Sequence, residues 1–211
     1  MEGSKLLLAM YEKMRSRFGF LDWWPGDSPY EVSVGAILTQ NTAWSNVEKA
    51  IGNLKARRWL EPAEIRKVPL PELARVIKPA GYFNQKARKL KIWQEFLDER
   101  YGGDLLNLQE KPVGDIRNEL LALWGLGPET VDSILLYALD KPVFVVDAYT
   151  KRILSRHRLL SEKADYHLIQ HFFQERLPLS VELFNDFHAQ IVYTGKFFCK
   201  TKPDCRGCPL F

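Results

Sequence analysis

A chain of 211 residues has room for one large domain or for two small lobes with a shared core. Its formal charge of +4 is too small for a uniformly basic nucleic-acid coat and leaves a clustered basic face as the alternative. No apolar run approaches a membrane-spanning length, and three cysteines crowded at the C-terminal end are not a secreted disulfide framework. Met1 to Phe18 alternates charge with Leu6-Leu7-Leu8 and has no cleavage site, so it reads as a helix and not as a signal peptide; the expected compartment is the cytoplasm.

Residues 4–18 carry the spacing of a first helix, ending near Phe18-Gly19. In the following loop, Leu21-Asp22-Trp23-Trp24-Pro25-Gly26-Asp27, the paired tryptophans either plug a gap between lobes or line a site. Segment 32–54 reads as one helix with Leu38-Thr39-Gln40-Asn41-Thr42 near one end, polar residues that act either as satisfied core groups or in function. Helices are predicted near 61–67, 70–78, 84–101 and 112–123, with turns at Pro69, Gly81 and Gly102-Gly103. The basic run Lys86, Arg88, Lys89, Lys91 is of a kind usually found on a solvated helix face.

Next comes Leu123-Trp124-Gly125-Leu126-Gly127-Pro128-Glu129-Thr130-Val131-Asp132. Two glycines allow a sharp turn and a close approach, and proline fits the first turn of a helix. Val131, Ile134, Leu135 and Ala138 then repeat at helical spacing. Main-chain N–H groups at such a helix start suit a phosphate oxygen, a contact blind to base sequence. Alone the motif is weak, because an ordinary interhelical turn has the same pattern. Beyond Val145-Val146-Asp147-Ala148-Tyr149, a helix carries Lys151, Arg152 and Arg156; the two arginines share a face and serve either DNA phosphates or internal carboxylates. Residues 165–177 and 181–197 are predicted helical, with Leu183, Phe184, Phe187 and Ile191 as a core stripe and His188 beside it as a structural histidine.

Taken together, Leu-x-Gly-Leu-Gly-x-x-Thr-Val-x-Ser-Ile and Val-Val-Asp-Ala-Tyr-x-x-Arg-Ile closely resemble the helix-hairpin-helix DNA glycosylases of the endonuclease III superfamily. Trp-Trp-Pro, Val34 to Thr42 and Pro79 to Leu90 are similar to the 3-methyladenine DNA glycosylase III branch, so recognisable blocks cover most of the chain. The resemblance implies an all-α, two-lobed fold with the active-site cleft between the lobes. One lobe is expected over 32–145, with the hairpin; the other joins 1–31 to 146–211.

The resemblance assigns roles residue by residue. Asp147 is the catalytic carboxylate at the mouth of a pocket for a flipped-out nucleotide; Trp23, Trp24, Pro25, Trp44 and Glu129 line the base pocket. Gln40 is the wedge that enters the duplex, with Asn41 beside it, and Gly125, Gly127 and Thr130 grip the backbone. Main-chain carbonyls of Leu121, Leu123 and Leu126 are candidates for a monovalent cation. Where the branch has a lysine after the matching histidine, this chain departs from the pattern with Gln190. Bifunctional relatives carry a lysine where this chain has Glu129, and a carboxylate cannot form a Schiff base, so little or no lyase activity is expected.

Cys199, Cys205 and Cys208 look like the C-terminal [4Fe–4S] loop of such relatives, with the first gap shorter and no fourth cysteine by Phe211. Zinc with a histidine, or three free thiols, are the alternatives. The expected activity is hydrolysis of the glycosidic bond of alkylated purines of the 3-methyladenine type in duplex DNA, initiating base excision repair, by a monomer without a membrane partner. Its rivals are a uracil or thymine mismatch glycosylase and a catalytically silent DNA-binding hairpin module. Indoles suit a cationic base: stacking contributes on the order of 1–3 kcal/mol and cation–π attraction roughly 0.5–2 kcal/mol.

Overall fold

A computed structural model describes residues 2–21 and 23–211. The described residues are all-helical, with no strand, and divide into two compact units: Pro25–Lys141, and the described residues up to Trp24 together with Pro142–Phe211.

The first of these is built on α2 (Pro29–Leu38), buried from Tyr30 to Leu38, as expected of a helix apolar on every side. Ser28 caps it, its hydroxyl accepting the Glu31 N–H at 3.2 Å. Ser33, within α2, accepts the Trp93 indole N–H at 3.0 Å and donates to the Tyr30 carbonyl at 2.7 Å, so both buried polar groups are satisfied. Trp93 lies on α6 (Phe83–Tyr101), which packs on α2 and on the short helices α4 (Pro62–Lys67) and α5 (Leu70–Val76). Pro79 cannot extend the α5 ladder, and the chain passes instead into a 3₁₀ turn at Lys78–Ala80. A helix absent from the sequence expectations, α7 (Leu105–Gln109), starts where Asp104 accepts the Leu106 N–H at 2.9 Å.

Three expectations are corrected here. Segment 32–54 is two helices, α2 and α3 (Trp44–Lys55). The Thr39 hydroxyl turns back to the Gly35 carbonyl at 2.7 Å, and Asn41 takes a left-handed φ of 53°, a conformation asparagine tolerates better than most residues, so the ladder stops. The helix from Val131 is not regular: α9 (Pro128–Ser133) runs into a π-helical turn at Ile134–Ala138, closed by the Leu139 N–H on the Ile134 carbonyl at 3.1 Å. The basic run on α6 is only in part a solvated face: Arg88 is exposed, and the lysines are buried or half-buried. Lys86 is 2% exposed and donates to the carbonyls of Leu38 and Ala80 at 2.8 and 2.7 Å; Lys91 donates to those of Ile65 and Arg66. Both ammoniums cap chain ends that helices leave unsatisfied.

Preceding α9, α8 (Val113–Leu121) completes the helix-hairpin-helix. Arg117 clamps the buried Asp132 with two hydrogen bonds, 2.7 and 3.0 Å, which fixes the two helices on either side of the turn.

In the other unit, α1 (Glu2–Phe18), α10 (Ala148–Arg156), α11 (Tyr166–Gln174) and α12 (Val181–Phe197) surround an aromatic core, with α12 packed on both α1 and α10. Phe144 stacks on Phe173 with centroids 3.8 Å apart and meets Phe184 and Phe187 edge-on. Helix α1 ends at Gly19, whose φ of 75° lets its N–H return to the Arg15 carbonyl at 2.8 Å.

Candidate functional site

Asp147 is delivered by a buried segment without helix or strand, 143–146. Such a segment has no ladder to satisfy its backbone, and two glutamines of α11 supply the partners: Gln174 accepts the Phe144 N–H at 2.9 Å and Gln170 donates to the Phe144 carbonyl at 2.8 Å. The segment ends at Asp147, the N-cap of α10. Its Oδ1 accepts from the Thr150 N–H at 2.7 Å and the Thr150 hydroxyl at 2.8 Å, while the Thr150 hydroxyl in turn accepts the Asp147 N–H. Oδ2 stands 3.8 Å from Nε2 of His188, and the carboxylate side chain keeps 13% exposure. Burial pushes the His188 imidazole below its ordinary value, against the pull of Asp147, so at neutral pH the neighbour is neutral and the Asp147 charge is not cancelled by it.

A second carboxylate in this unit, Asp186 on α12, was not singled out in the sequence. It is fully buried and saturated: Tyr11 donates at 2.7 Å, the Leu21 N–H at 3.0 Å and Gln190 at 3.1 Å, with Arg15 at 3.9 Å. Burial and this acceptor raise the Tyr11 hydroxyl above the ordinary tyrosine range. Gln190 also donates to the Gly19 carbonyl at 2.6 Å, so it anchors the loop after α1. That loop carries half-buried Trp23 and Trp24, which meet edge-on at 5.9 Å, Trp23 also meeting Tyr193 edge-on.

In the unit Pro25–Lys141, the hairpin turns at Gly125, whose φ of 84° favours glycine, and the Leu126 N–H closes on the Leu123 carbonyl at 3.2 Å. Gly127 is different. It is extended and N-caps α9, and a Cβ there would meet nothing within 4 Å. Buried Thr130 accepts from the Gln40 amide at 2.8 Å, the same amide reaches the Gly125 carbonyl at 3.3 Å, and Lys89 donates to the Gln40 oxygen. Gln40, Gly125 and Thr130 are therefore joined directly, with exposed Asn41 next in the chain. Trp44 is half-buried at the first residue of α3, Glu129 is exposed in the first turn of α9, and Pro25 is exposed.

Two further surface features escaped the sequence reading. Tyr82, 67% exposed at a left-handed φ of 44°, N-caps α6; its signal was an aromatic between Gly81 and a helix start. Exposed Trp124 at the hairpin lies under the Arg88 guanidinium, 4.4 Å from ring centroid to carbon.

Among the described residues, Arg152 and Arg156 hold main-chain carbonyls of the cysteine loop and not carboxylates. Arg152 donates to the Cys199 carbonyl at 2.6 Å, and Arg156 to the carbonyls of Lys200 and Thr201 at 2.6 and 2.9 Å and to the Cys199 sulfur at 3.2 Å. Cys199 is buried, Cys208 half-buried and Cys205 exposed, and burial pushes the Cys208 thiol up. Among the described residues no three His, Cys, Asp or Glu side chains gather into a group that could hold a single metal ion. No helix among the described residues is long and apolar enough to cross a membrane.

Helical units, a glycine hairpin and a capping aspartate define a helix-hairpin-helix class, and comparison with known proteins agrees. The model of the HhH-GPD superfamily of base excision DNA repair proteins matches residues 34–179. A Methanocaldococcus jannaschii protein named as a DNA repair glycosylase is 45% identical over 207 residues, 98% of this chain and 94% of its own. Endonuclease III of Bacillus subtilis is 26% identical over 184 residues, covering 87% and 79%. Among solved structures, that of Helicobacter pylori 3-methyladenine DNA glycosylase bound to 1,N6-ethenoadenine superposes with a TM-score of 0.78 at 28% identity, covering 92% of this chain and 97% of that one. The chain belongs to the HhH-GPD superfamily of base excision DNA repair glycosylases.

Proposed function

We propose that this protein is a monofunctional DNA glycosylase that removes alkylated purines of the 3-methyladenine type from duplex DNA, acting as a monomer. The observation that carries the reading is Asp147: one oxygen is committed to the α10 cap, and the other faces a neutral imidazole and keeps partial exposure. A carboxylate held in this way is rigid and keeps one oxygen for a substrate.

In this reading the hairpin and Gly127 hold the phosphate backbone, where space above Gly127 admits a close approach. Gln40 and Asn41 occupy the gap left by the extruded nucleotide, and Trp23, Trp24 and Trp44 stack on its base. A cationic alkylpurine leaves without a general acid, and the developing positive charge falls on the sugar. A carboxylate about 4 Å away at an effective dielectric of ~20 stabilises that charge by ~4 kcal/mol, roughly a thousandfold in rate. Asp147 also orients the attacking water. The likeness to the Helicobacter pylori glycosylase supports the choice of alkylpurine over a neutral pyrimidine. The main-chain carbonyls of Leu121, Leu123 and Leu126 are the places for a monovalent cation in the same reading.

The test is a panel of duplexes bearing methylated purines, uracil, mismatched thymine or oxidised guanine. Release of 3-methyladenine ahead of the others is expected; release of uracil or thymine with the methylated purines left intact would overturn the assignment.

A further inference from the structure

The basic run on α6 divides by what each side chain holds. Lys86 and Lys91 each hold two main-chain carbonyls. Lys89 differs: it donates to the amide oxygen of Gln40, whose amide nitrogen in turn donates to the Thr130 hydroxyl and the Gly125 carbonyl. Every polar atom of the Gln40 side chain is thereby engaged by α6, α9 or the hairpin turn.

The stem of Lys89 is seated as firmly as its head. It lies across Gly125, where a Cβ would come within 2.5 Å of its Cε and 3.1 Å of its Cδ and Cγ. Glycine is needed there twice, for its left-handed φ and for the space the lysine fills. No carboxylate among the described residues pairs with Lys89, and partial burial holds its ammonium below the usual lysine range. A half-buried cation answered by one side-chain oxygen is a directional contact, and its direction is toward Gln40.

We propose that Lys89 is a positioning residue for Gln40, fixing the glutamine against the hairpin so that backbone grip and duplex wedge meet DNA as one preassembled piece. The inference rests on the wedge role proposed above for Gln40. Without the ammonium the glutamine must be ordered at the moment of insertion, and the rotamer freedom of such a side chain corresponds to about tenfold in rate.

Lys89→Met keeps the length and apolar stem over Gly125 and removes the charge. It is compared with Gln40→Ala and with the double variant on two duplexes: one treated with dimethyl sulfate, for single-turnover base release, and one with a tetrahydrofuran abasic analogue opposite 2-aminopurine, whose fluorescence reports insertion. Lys89→Met is expected to lower both the release rate and the fluorescence change about tenfold, with the salt dependence of duplex affinity unchanged. The double variant should be no slower than Gln40→Ala, because both changes act through one side chain. Thr130→Val, which removes another partner of Gln40, should show the same pattern and serves if Lys89→Met folds poorly.

Additive losses in the double variant, or a salt slope reduced by about one with release at saturation intact, would overturn the proposal and make Lys89 a plain phosphate contact. A slow Gln40→Ala beside a normal Lys89→Met sinks the positioning role alone. A normal Gln40→Ala on the abasic duplex sinks the wedge role and the inference with it.

Discussion

Two carboxylates of one unit, Asp147 at the start of α10 and Asp186 within α12, show how differently similar groups can be satisfied. Asp186 is 0% exposed, and its two oxygens receive a hydroxyl, a main-chain N–H and an amide, with a guanidinium beyond. Asp147 is 13% exposed, spends one oxygen on a helix cap and turns the other toward a neutral histidine. A saturated buried carboxylate has no capacity left for a substrate, and its role is to hold the loop that carries Trp23 and Trp24. A capped one is held rigid and keeps one oxygen unspent. Degree of satisfaction, more than burial alone, separates the two.

The largest expected effect breaks the comparison at Asp147. Asn caps a helix as well as Asp, so Asp147→Asn retains the cap while removing the charge. Base release should fall by at least about a thousandfold with duplex affinity and melting temperature preserved, measured by single-turnover release and thermal unfolding. A fall in melting temperature matching the loss of activity would mean that the residue is only a cap. The reverse pattern is expected at Asp186. Asp186→Ala leaves the Tyr11 hydroxyl, the Leu21 N–H and an amide hydrogen of Gln190 without their buried acceptor, a loss of about 3–5 kcal/mol in urea unfolding. Any slowing of base release should track the fraction unfolded.

The same contrast explains what could be read from the chain. Asp147 announces itself locally, since an aspartate after two valines and before a helical pattern is an N-cap, and the motif around it has a family resemblance. Asp186 has its partners at Tyr11, Arg15 and Leu21, far away in sequence; only its i, i+4 pairing with Gln190 beside the Phe184, Phe187, Ile191 stripe was a trace. Lys86 was legible in principle, because Lys86, Leu90, Trp93 and Leu97 fall on one helical stripe and all are buried. Its cationic character pointed toward solvent, and the carbonyls that hold it belong to other segments. The break at Thr39–Ala43 was hidden for a related reason: a left-handed Asn41 joins two helices that have the composition of one.

A smaller effect sharpens the Asp147 environment. His188 is held below its ordinary value of 6.5 by burial, so as pH falls through that value the unfolded chain binds a proton that the folded chain does not. The stability is full above this range and declines below it, by at most about 1.4 kcal/mol per pH unit, until the folded-state imidazole itself titrates. Urea midpoints between pH 7 and 5 should show this slope, and His188→Asn should flatten it. In Asp147→Asn the window should extend to lower pH, since the carboxylate is what pulls the His188 value upward. An unchanged window would show that Asp147 does not sense the imidazole.

The smallest effect is expected at Glu129, a third carboxylate, which is exposed where Asp186 is buried. It sits exposed in the first turn of α9, where a negative charge gains roughly 0.3–1 kcal/mol from the helix dipole. Glu129→Gln should therefore lose about that much stability and change base release by no more than about twofold. The chemistry that this position supports in lysine-bearing relatives needs an amine that attacks the sugar and forms an imine, and no carboxylate or amide can supply one. Borohydride added during turnover should accordingly trap no covalent protein–DNA adduct with either the native chain or Glu129→Gln. Efficient trapping by the native chain would require another amine to do the work, and would shift attention from the spare oxygen of Asp147 to the lysines around the hairpin.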